Sequence, residues 1–214
     1  MEKNYLIFTN KKTCRRLVFY PVAKNANTSA KFFLAKHLGI EEKFYFLEDK
    51  IPRFKLNKEL LKNYKKKYNI IDFLPPYSRF EKLDVEERAC LIRDPLKRFI
   101  SAYKNRVLFH KDKNFHNHSV NQILEKLENG LFENKHFLPQ TYWLGNDLEY
   151  FTIKANVENL EPFVKSINNF FSNNLNFPRM QTGGQKNDLH LNQDQKTKIK
   201  KIYSEDYDLV SNYI

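Results

Sequence analysis

Glycine and cysteine are both scarce in this chain, with 5 and 2 residues among 214. Two cysteines, Cys14 and Cys90, are too few for a disulfide framework or a Cys-rich metal site. No apolar run reaches the roughly 18 residues that a membrane-spanning helix needs, and the N-terminal apolar stretch is too short for a signal peptide. These absences predict a soluble protein of the cytoplasm.

Two common kinds of site are also missing from the sequence. The glycine-rich phosphate loop G-x-x-x-x-G-K-[ST] does not occur, which argues against an ordinary nucleoside triphosphate site. The histidines of the segment 110–118 follow the spacing H-x5-H-x-H, which matches no standard zinc arrangement. We therefore predict no metal ligands in this chain.

Aromatic residues and positive charge are abundant instead. Aromatic side chains make up 15% of the sequence, which argues against disorder, and the length favours a single domain over residues 1–214. The formal net charge of +12 indicates an anionic partner, such as a nucleic acid, an acidic membrane surface, a polyanionic glycan or a phosphorylated cofactor. The densest basic cluster, NYKKKYNI at 63–70, overlaps a basic helix predicted over 57–68. A lysine-rich coding bias, which would leave these lysines simply solvated, explains the excess equally well.

A strand, a loop and a helix follow one another three times along the chain. The strands are predicted at 16–22, 88–93 and 148–155, with a weaker candidate at 43–48, and a helix is predicted over 192–214. This alternation favours an α/β fold with a mostly parallel central sheet and helices on both faces. Ligands of such sheets bind beyond the carboxyl ends of the strands, so the loops that follow the strands at 16–22 and 88–93 are expected to share one crevice.

The first of these loops, in PVAKNANTS, carries many hydrogen-bond donors but a single cation, Lys24. Asn25, Asn27, Thr28 and Ser29 complete it, and Asn27 or Thr28 is predicted to cap the helix that follows. A helix N-terminus offers free N–H groups and a partial positive charge, so the loop suits an anion such as phosphate. The alternative is a capped helix beside a solvated lysine.

The second loop, in IRDPLKRFISAYKNR, places Arg93 at a strand end and Ser101 on the next helix. Asp94 is predicted to cap that helix. An arginine and a serine in this arrangement can hold one phosphate from two sides. Arg98 and Arg106 share part of the same helix surface, with roles left open. The alternative is that Arg93 pairs with Asp94 or a nearby glutamate.

The chain resembles the sulfotransferases that use 3′-phosphoadenosine 5′-phosphosulfate (PAPS). The resemblance rests on two loop patterns taken together, P-x-x-K-x-x-x-T-S at 21–29 and R-D-P-x-x-R-x-x-S-A-Y at 93–103. The resemblance points in particular to the Golgi carbohydrate sulfotransferases and their bacterial relatives. The segment HFLPQ at 136–140 is similar to the family's His-x-x-Pro-Gln segment, and LEYFTIKANVENLEPFV is similar to its late strand and helix.

The resemblance implies a three-layer fold like that of P-loop NTPases, with PAPS as sulfuryl donor and 3′-phosphoadenosine 5′-phosphate (PAP) as product. The first loop would hold the 5′-phosphosulfate, with Lys24 also stabilising the leaving phosphate oxygen. The second loop would hold the 3′-phosphate. The predicted donor-binding residues are Lys24, Asn25, Asn27, Thr28, Ser29, Arg93 and Ser101.

An acceptor hydroxyl also needs a base, and His136 is the first candidate because imidazole titrates near neutral pH. His136 could equally serve as a structural residue that bonds a backbone carbonyl. The other candidates are Glu48, Asp49, His37 and Glu158.

The predicted function is sulfuryl transfer from PAPS to a hydroxyl of a carbohydrate or glycolipid, in bacterial surface polysaccharide synthesis. The basic surface leaves open a peripheral contact with a membrane, no nucleic-acid partner is expected, and the oligomeric state is not predicted.

Tyr142 and Trp143 are candidates for stacking on adenine or sugar as well as for the core, and QTGGQKNDLH at 181–190 is a candidate lid. Two alternatives remain, a kinase-like nucleotide-binding protein and a basic RNA- or polyanion-binding module.

Overall fold

The computed structural model describes most of the chain, including both loops that carry the site predictions. The basic helix at 57–68, the cluster at 63–70, Asp49 and all but the last two residues of the candidate lid lie outside the described residues. The described ranges are 6–10, 12–39, 45–48, 51–54, 80–180 and 189–214.

A four-stranded sheet lies at the centre of the described structure. Its strands, in spatial order, are β1 (Leu6–Thr9), β2 (Arg16–Tyr20), β5 (Glu87–Ile92) and β6 (Ile153–Asn156). The pairs β2–β5 and β5–β6 are parallel, whereas β1 pairs antiparallel with β2. Two further strands, β3 (Tyr45–Glu48) and β4 (Ile51–Phe54), form a separate antiparallel pair.

The helices and helical turns have the following bounds in chain order. They are α1 (Asn27–His37), α2 (Pro95–Tyr103), a π-helical turn (Lys104–Phe109), α3 (Val120–Glu128), α4 (Thr141–Leu144), a 3-10 turn (Leu148–Tyr150), α5 (Glu161–Phe171), α6 (Gln193–Ile202) and α7 (Ser204–Val210). None of the described helices is long and apolar enough to cross a membrane.

Both faces of the central sheet are buried, as the alternation of β2 illustrates. Leu17 and Phe19 contact one apolar cluster, formed with α1 and α5. Val18 and Tyr20 contact the opposite cluster, formed with α4 and α7. Successive strand residues point to opposite faces, so a continuous apolar run is what a strand covered on both sides requires. The predicted α/β fold with a mostly parallel sheet is confirmed.

Two sequence predictions about the elements need correction, and one strand was missed. The strand predicted at 148–155 begins as the 3-10 turn and becomes a strand only at Ile153. The single helix predicted over 192–214 is divided at Tyr203, which lies between α6 and α7 and whose buried hydroxyl donates to the carbonyl of Phe137 (2.7 Å). The antiparallel strand β1, at the edge of the sheet, was not predicted.

Candidate active site

The two predicted phosphate loops lie side by side at the carboxyl ends of neighbouring parallel strands. Tyr20 of β2 is paired with Cys90 of β5, so both strands deliver their following loops to the same sheet edge. The guanidinium of Arg93 donates from Nη1 to the backbone carbonyl of Lys24 (2.9 Å). The expectation that the two loops share one crevice is therefore confirmed.

The first loop is held in an unusual backbone conformation. Lys24 and Ala26 have φ angles of 70° and 51°, in the left-handed region that non-glycine residues rarely adopt. Such strain is often retained at functional sites. The helix α1 begins at Asn27, and Ala26 occupies its N-cap, so the prediction that Asn27 or Thr28 caps it is wrong. Because alanine has no side-chain acceptor, the N–H groups of the first turn are not capped from that position.

A cavity of about 400 Å³ opens at this edge of the sheet. Its volume lies within the usual range for small-molecule sites. The first loop and α1 contribute Lys24, Asn27, Thr28 and Ser29 to its lining.

The second loop and the HFLPQ segment complete the opposite side of this cavity. Arg93 lies at the end of β5, Ser101 on α2 and His136 in the segment that precedes α4. Asp94 caps α2, as predicted, by accepting from the backbone N–H of Lys97 (2.8 Å). The carboxylate of Asp94 therefore caps the helix, and the side chain of Arg93 lines the cavity.

Asn25 is the one predicted donor-binding residue that does not line the cavity. Its side chain is buried and donates from Nδ2 to the carbonyl of Leu91 (2.8 Å) and to Oε1 of Gln140 (2.6 Å). Asn25 therefore makes a structural contact with β5 and does not line the cavity.

Gln140, the last residue of the HFLPQ segment, connects both loops. Its Oε1 accepts from Asn25 and also from the backbone N–H of Arg93 (3.0 Å), while its Nε2 donates to the carbonyl of Arg93 (2.8 Å). The side-chain amide thus pairs with both backbone groups of Arg93, as another strand would. Gln140 is completely buried, so these bonds are made away from water.

Arg98 is buried beneath the site and holds three segments together. It donates to the carbonyls of Ala23 (3.0 Å) and Leu138 (2.6 Å), and its charge faces the buried carboxylate of Asp206 on α7 at 4.0 Å. Its guanidinium also stacks over Trp143, 5.3 Å from the ring centroid. Arg98 and Trp143 therefore belong to the core beneath the cavity, and Tyr142 packs partly buried on the same side of the sheet.

Positive charge is concentrated around the cavity. The pKa of Lys24 is lowered to about 8, mainly by burial and then by the charges of Arg93, Arg106 and Arg98. Burial also lowers the pKa of Arg93, whose Nε has no hydrogen-bond partner among the described residues. The described residues that line the cavity include no aspartate or glutamate. Partly buried cations of this kind are best satisfied by an anion that enters the cavity.

His136 faces the same cavity, and its ring is oriented by Asn134. The ring Nδ1 and the backbone N–H of His136 lie 2.7 and 2.9 Å from Oδ1 of Asn134. Burial lowers the pKa of His136 to about 2, and the charges of Arg106 and Lys24 are the next largest causes. The imidazole is therefore neutral across the physiological pH range.

Two of the other candidate bases, His37 and Glu158, are not among the residues that line the described cavity. His37 is packed between the rings of Phe33 and Phe171, with centroids 4.7 and 4.8 Å away. Glu158 forms an ion pair with Lys97. Asp49 lies outside the described residues, and for Glu48 only the strand position is described.

Part of the cavity wall was missed in the sequence. Asn105 lies four residues after Ser101, one turn along the same helical surface, so this spacing was a usable signal. The segment Phe177–Met180, which includes Arg179, gave no such signal because it reaches the cavity only through folding. It is held there by Ser29, whose Oγ accepts from the backbone N–H of Met180 (3.0 Å).

Comparison with known proteins assigns the chain to a family. The model of the sulfotransferase family matches residues 7–211, which is nearly the whole chain. No curated protein and no solved structure shows a significant match. The chain belongs to the sulfotransferase family.

Proposed function

We propose that this member of the sulfotransferase family transfers a sulfuryl group from PAPS to a hydroxyl of a carbohydrate or glycolipid acceptor, in the synthesis of a bacterial surface polysaccharide. The observation that carries the proposal is that Lys24 and Arg93, from loops after two different strands, face one cavity. PAPS carries anionic groups at both ends of its ribose, so it needs two separate cationic contacts. A three-layer fold like that of P-loop NTPases is part of this proposal.

The polar side of the cavity fits both ends of such a nucleotide. The first turn of α1, with Thr28, Ser29 and the ammonium of Lys24, suits the 5′-phosphosulfate. The unpartnered Nε of Arg93 and the hydroxyl of Ser101 suit the 3′-phosphate, because a guanidinium donates well-directed bonds to phosphate oxygens.

The remaining wall of the cavity fits the base of the nucleotide. Val157, Leu160 and Phe177 contribute apolar side chains beyond the polar end. Apolar and aromatic surfaces accept the flat face of adenine, while a few polar groups determine its orientation. A cavity that is cationic on one side and apolar on the other therefore favours a nucleotide over inorganic phosphate alone.

In the proposed reaction, the sulfur–oxygen bond to the 5′-phosphate breaks and its electron pair stays on the phosphate oxygen. Lys24 neutralises the charge that grows there. A bond forms between sulfur and the acceptor oxygen, and the acceptor proton passes to Nε2 of His136. The negative charge of the bound donor offsets the positive charges that lower the pKa of His136. The pKa therefore rises, and the imidazole is a stronger base once the donor is present.

Nucleotide binding and turnover test the proposal together. The protein is incubated with PAPS and a panel of neutral and anionic oligosaccharides and glycolipids, and release of PAP is followed by chromatography. We expect acceptor-dependent release that Lys24→Ala reduces by at least about 100-fold. Thermal shift with PAP and with MgATP provides the second measurement, and we expect stabilisation by PAP.

The alternatives predict different outcomes in the same experiment. Stabilisation by MgATP without stabilisation by PAP would favour a kinase-like protein. Binding of RNA that weakens steeply with salt, without selectivity for PAP, would favour a polyanion-binding module. Either result, without turnover of PAPS, overturns the proposed function.

A further inference from the structure

A chain of hydrogen bonds behind the cavity ends on the ring of His136. Arg106 forms a bidentate ion pair with Asp112, in which Nε donates to Oδ2 (2.7 Å) and Nη2 donates to Oδ1 (2.6 Å). Asn134 donates from Nδ2 to Oδ2 of Asp112 (2.6 Å), and its Oδ1 lies 2.7 Å from Nδ1 of His136. We infer that Asn134 is a positioning residue that holds the proton of His136 on Nδ1 and so presents a bare Nε2 to the cavity.

Two neighbours of fixed chemistry determine which way the amide of Asn134 points. The carboxylate of Asp112 can only accept when ionised, so the group that faces it must be the NH₂ of Asn134. The backbone N–H of His136 can only donate, so the group that faces it, at 2.9 Å, must be the carbonyl oxygen. That oxygen also faces Nδ1 of the ring, which must therefore carry the proton.

The partners behind Asn134 hold the side chain of Asp112 in place. Arg106 lies in the π-helical turn that follows α2, and its carbonyl accepts from the backbone N–H of Asp112 (3.0 Å). Its guanidinium engages both carboxylate oxygens, which fixes the orientation of the carboxylate. Turns of this type, which are frequent at functional sites, widen the helix and change the direction of the side chains they carry.

The charged groups around His136 explain why its tautomer, rather than its charge, is the controlled quantity. Lys24, Arg98, Arg106 and Lys135 all act on the ring and favour its neutral form. Asp112 is the acidic group of this hydrogen-bond chain, and it faces Asn134 instead of the ring. A neutral imidazole can have its proton on either nitrogen, so the acceptor Oδ1 of Asn134 decides which nitrogen is free.

This inference rests on the proposed function, in which Nε2 receives the acceptor proton. Its first test compares Asn134→Ala with Asn114→Ala, a change at an exposed asparagine near Asp112. Nitrogen-15 spectra of histidine-labelled protein, with the His136 signals assigned from His136→Gln, report which ring nitrogen carries the proton. We expect Nδ1–H in the wild type and in Asn114→Ala, and a larger share of Nε2–H in Asn134→Ala.

Turnover then tests whether the tautomer matters for catalysis. We expect Asn134→Ala to lower kcat for sulfuryl transfer by at least about 10-fold while the Kd for PAP stays within about 2-fold of wild type. An unchanged kcat, or an unchanged Nδ1–H signal, overturns the inference while the proposed function stands. If the wild type turns over no PAPS, the proposed function fails, and the positioning role fails with it.

A second variant covers the case in which Asn134→Ala does not fold. The exchange Asp112→Asn with Asn134→Asp keeps a donor and an acceptor between the two positions but brings the carboxylate onto Nδ1 of His136. We expect the Nδ1–H tautomer to persist and the acidic limb of the kcat–pH profile to move to higher pH, because a carboxylate beside the ring favours imidazolium. A purely structural role would leave that limb where it is, and such a result overturns the inference.

Discussion

Arg93 and Lys24 are joined by a hydrogen bond from the guanidinium Nη1 to the backbone carbonyl, at 2.9 Å, although 69 positions separate them. The bond ties the end of β5 to the strained loop after β2. It also uses only part of the guanidinium, and Nε remains buried without a partner among the described residues. An anion that occupies the cavity would satisfy that donor and the ammonium of Lys24 at once.

Replacement of Arg93 by alanine should weaken binding of PAP selectively. We expect the Kd for PAP to rise by about 10- to 100-fold, the loss expected for one hydrogen bond to a charged group. The Kd for adenosine 5′-phosphate, which lacks the 3′-phosphate, should change by less than about 3-fold. Isothermal titration calorimetry measures both constants.

Lys97→Ala serves as the matched control for Arg93. Lys97 is an exposed cation on the same helix–loop unit, where it pairs with Glu158 away from the cavity lining. Its removal should leave both affinities near their wild-type values. Equal losses for the two nucleotides in Arg93→Ala would contradict the placement of the 3′-phosphate beside Arg93.

Lys24 should make binding of PAP depend on pH. Its pKa is lowered to about 8 in the free protein, so it loses its proton as the pH rises through 8. Because bound phosphate favours the ammonium form, affinity should fall above pH 8 in the wild type. In Lys24→Ala the affinity should be lower throughout and should lack this alkaline decline. Titrations between pH 6.5 and 9.5 test this, and an alkaline decline of the same size in the variant would assign it to another group.

The location of the site was predictable because it follows from topology. Twice along the chain, a buried apolar run is followed by a loop rich in hydrogen-bond donors. This pattern places both loops at one edge of a parallel sheet. The pairing of Tyr20 with Cys90 produces this juxtaposition, and Arg93 then meets Lys24. Local sequence therefore sufficed to predict which loops meet.

The supporting contacts were not predictable, because they join residues that are distant in sequence. Nothing near Asn25 indicates that its amide reaches Gln140, 115 positions later, instead of the cavity. The N-cap of α1 was mispredicted for a different reason: with Ala26 in the left-handed conformation, the helix begins at Asn27, earlier than predicted, and alanine occupies the N-cap. Propensity for capping by asparagine or threonine was overridden by the geometry of the loop.

Gln140→Leu should reduce stability and should also weaken PAP binding. The change leaves the backbone N–H and carbonyl of Arg93 and the amide of Asn25 without their buried partner. Each unsatisfied buried group costs about 1–3 kcal/mol, so we expect a loss of at least about 2 kcal/mol in the free energy of unfolding. Urea denaturation measures it. Gln193→Leu, on the exposed first turn of α6, should change stability by less than about 0.5 kcal/mol.

His37 should make the fold less stable in mild acid. Burial against Phe33 and Phe171 lowers its pKa to about 4, whereas the unfolded chain protonates near pH 6.5. The unfolded state therefore binds more protons between these values, and stability must fall as the pH drops from 6.5 towards 4. His37→Phe keeps a ring in the aromatic cluster but cannot titrate.

Thermal unfolding followed from pH 7 to pH 5 separates this contribution from that of His136, whose pKa is lowered by burial as well. We expect His37→Phe to lose fewer degrees of Tm over this interval than the wild type, because the His37 part of the proton uptake is removed while the His136 part remains. The exposed His116 provides the control, since His116→Gln removes a histidine that water surrounds in both states. Identical pH dependence in the wild type and His37→Phe would mean that the ring between Phe33 and Phe171 is protonated as easily in the folded state as in the unfolded chain.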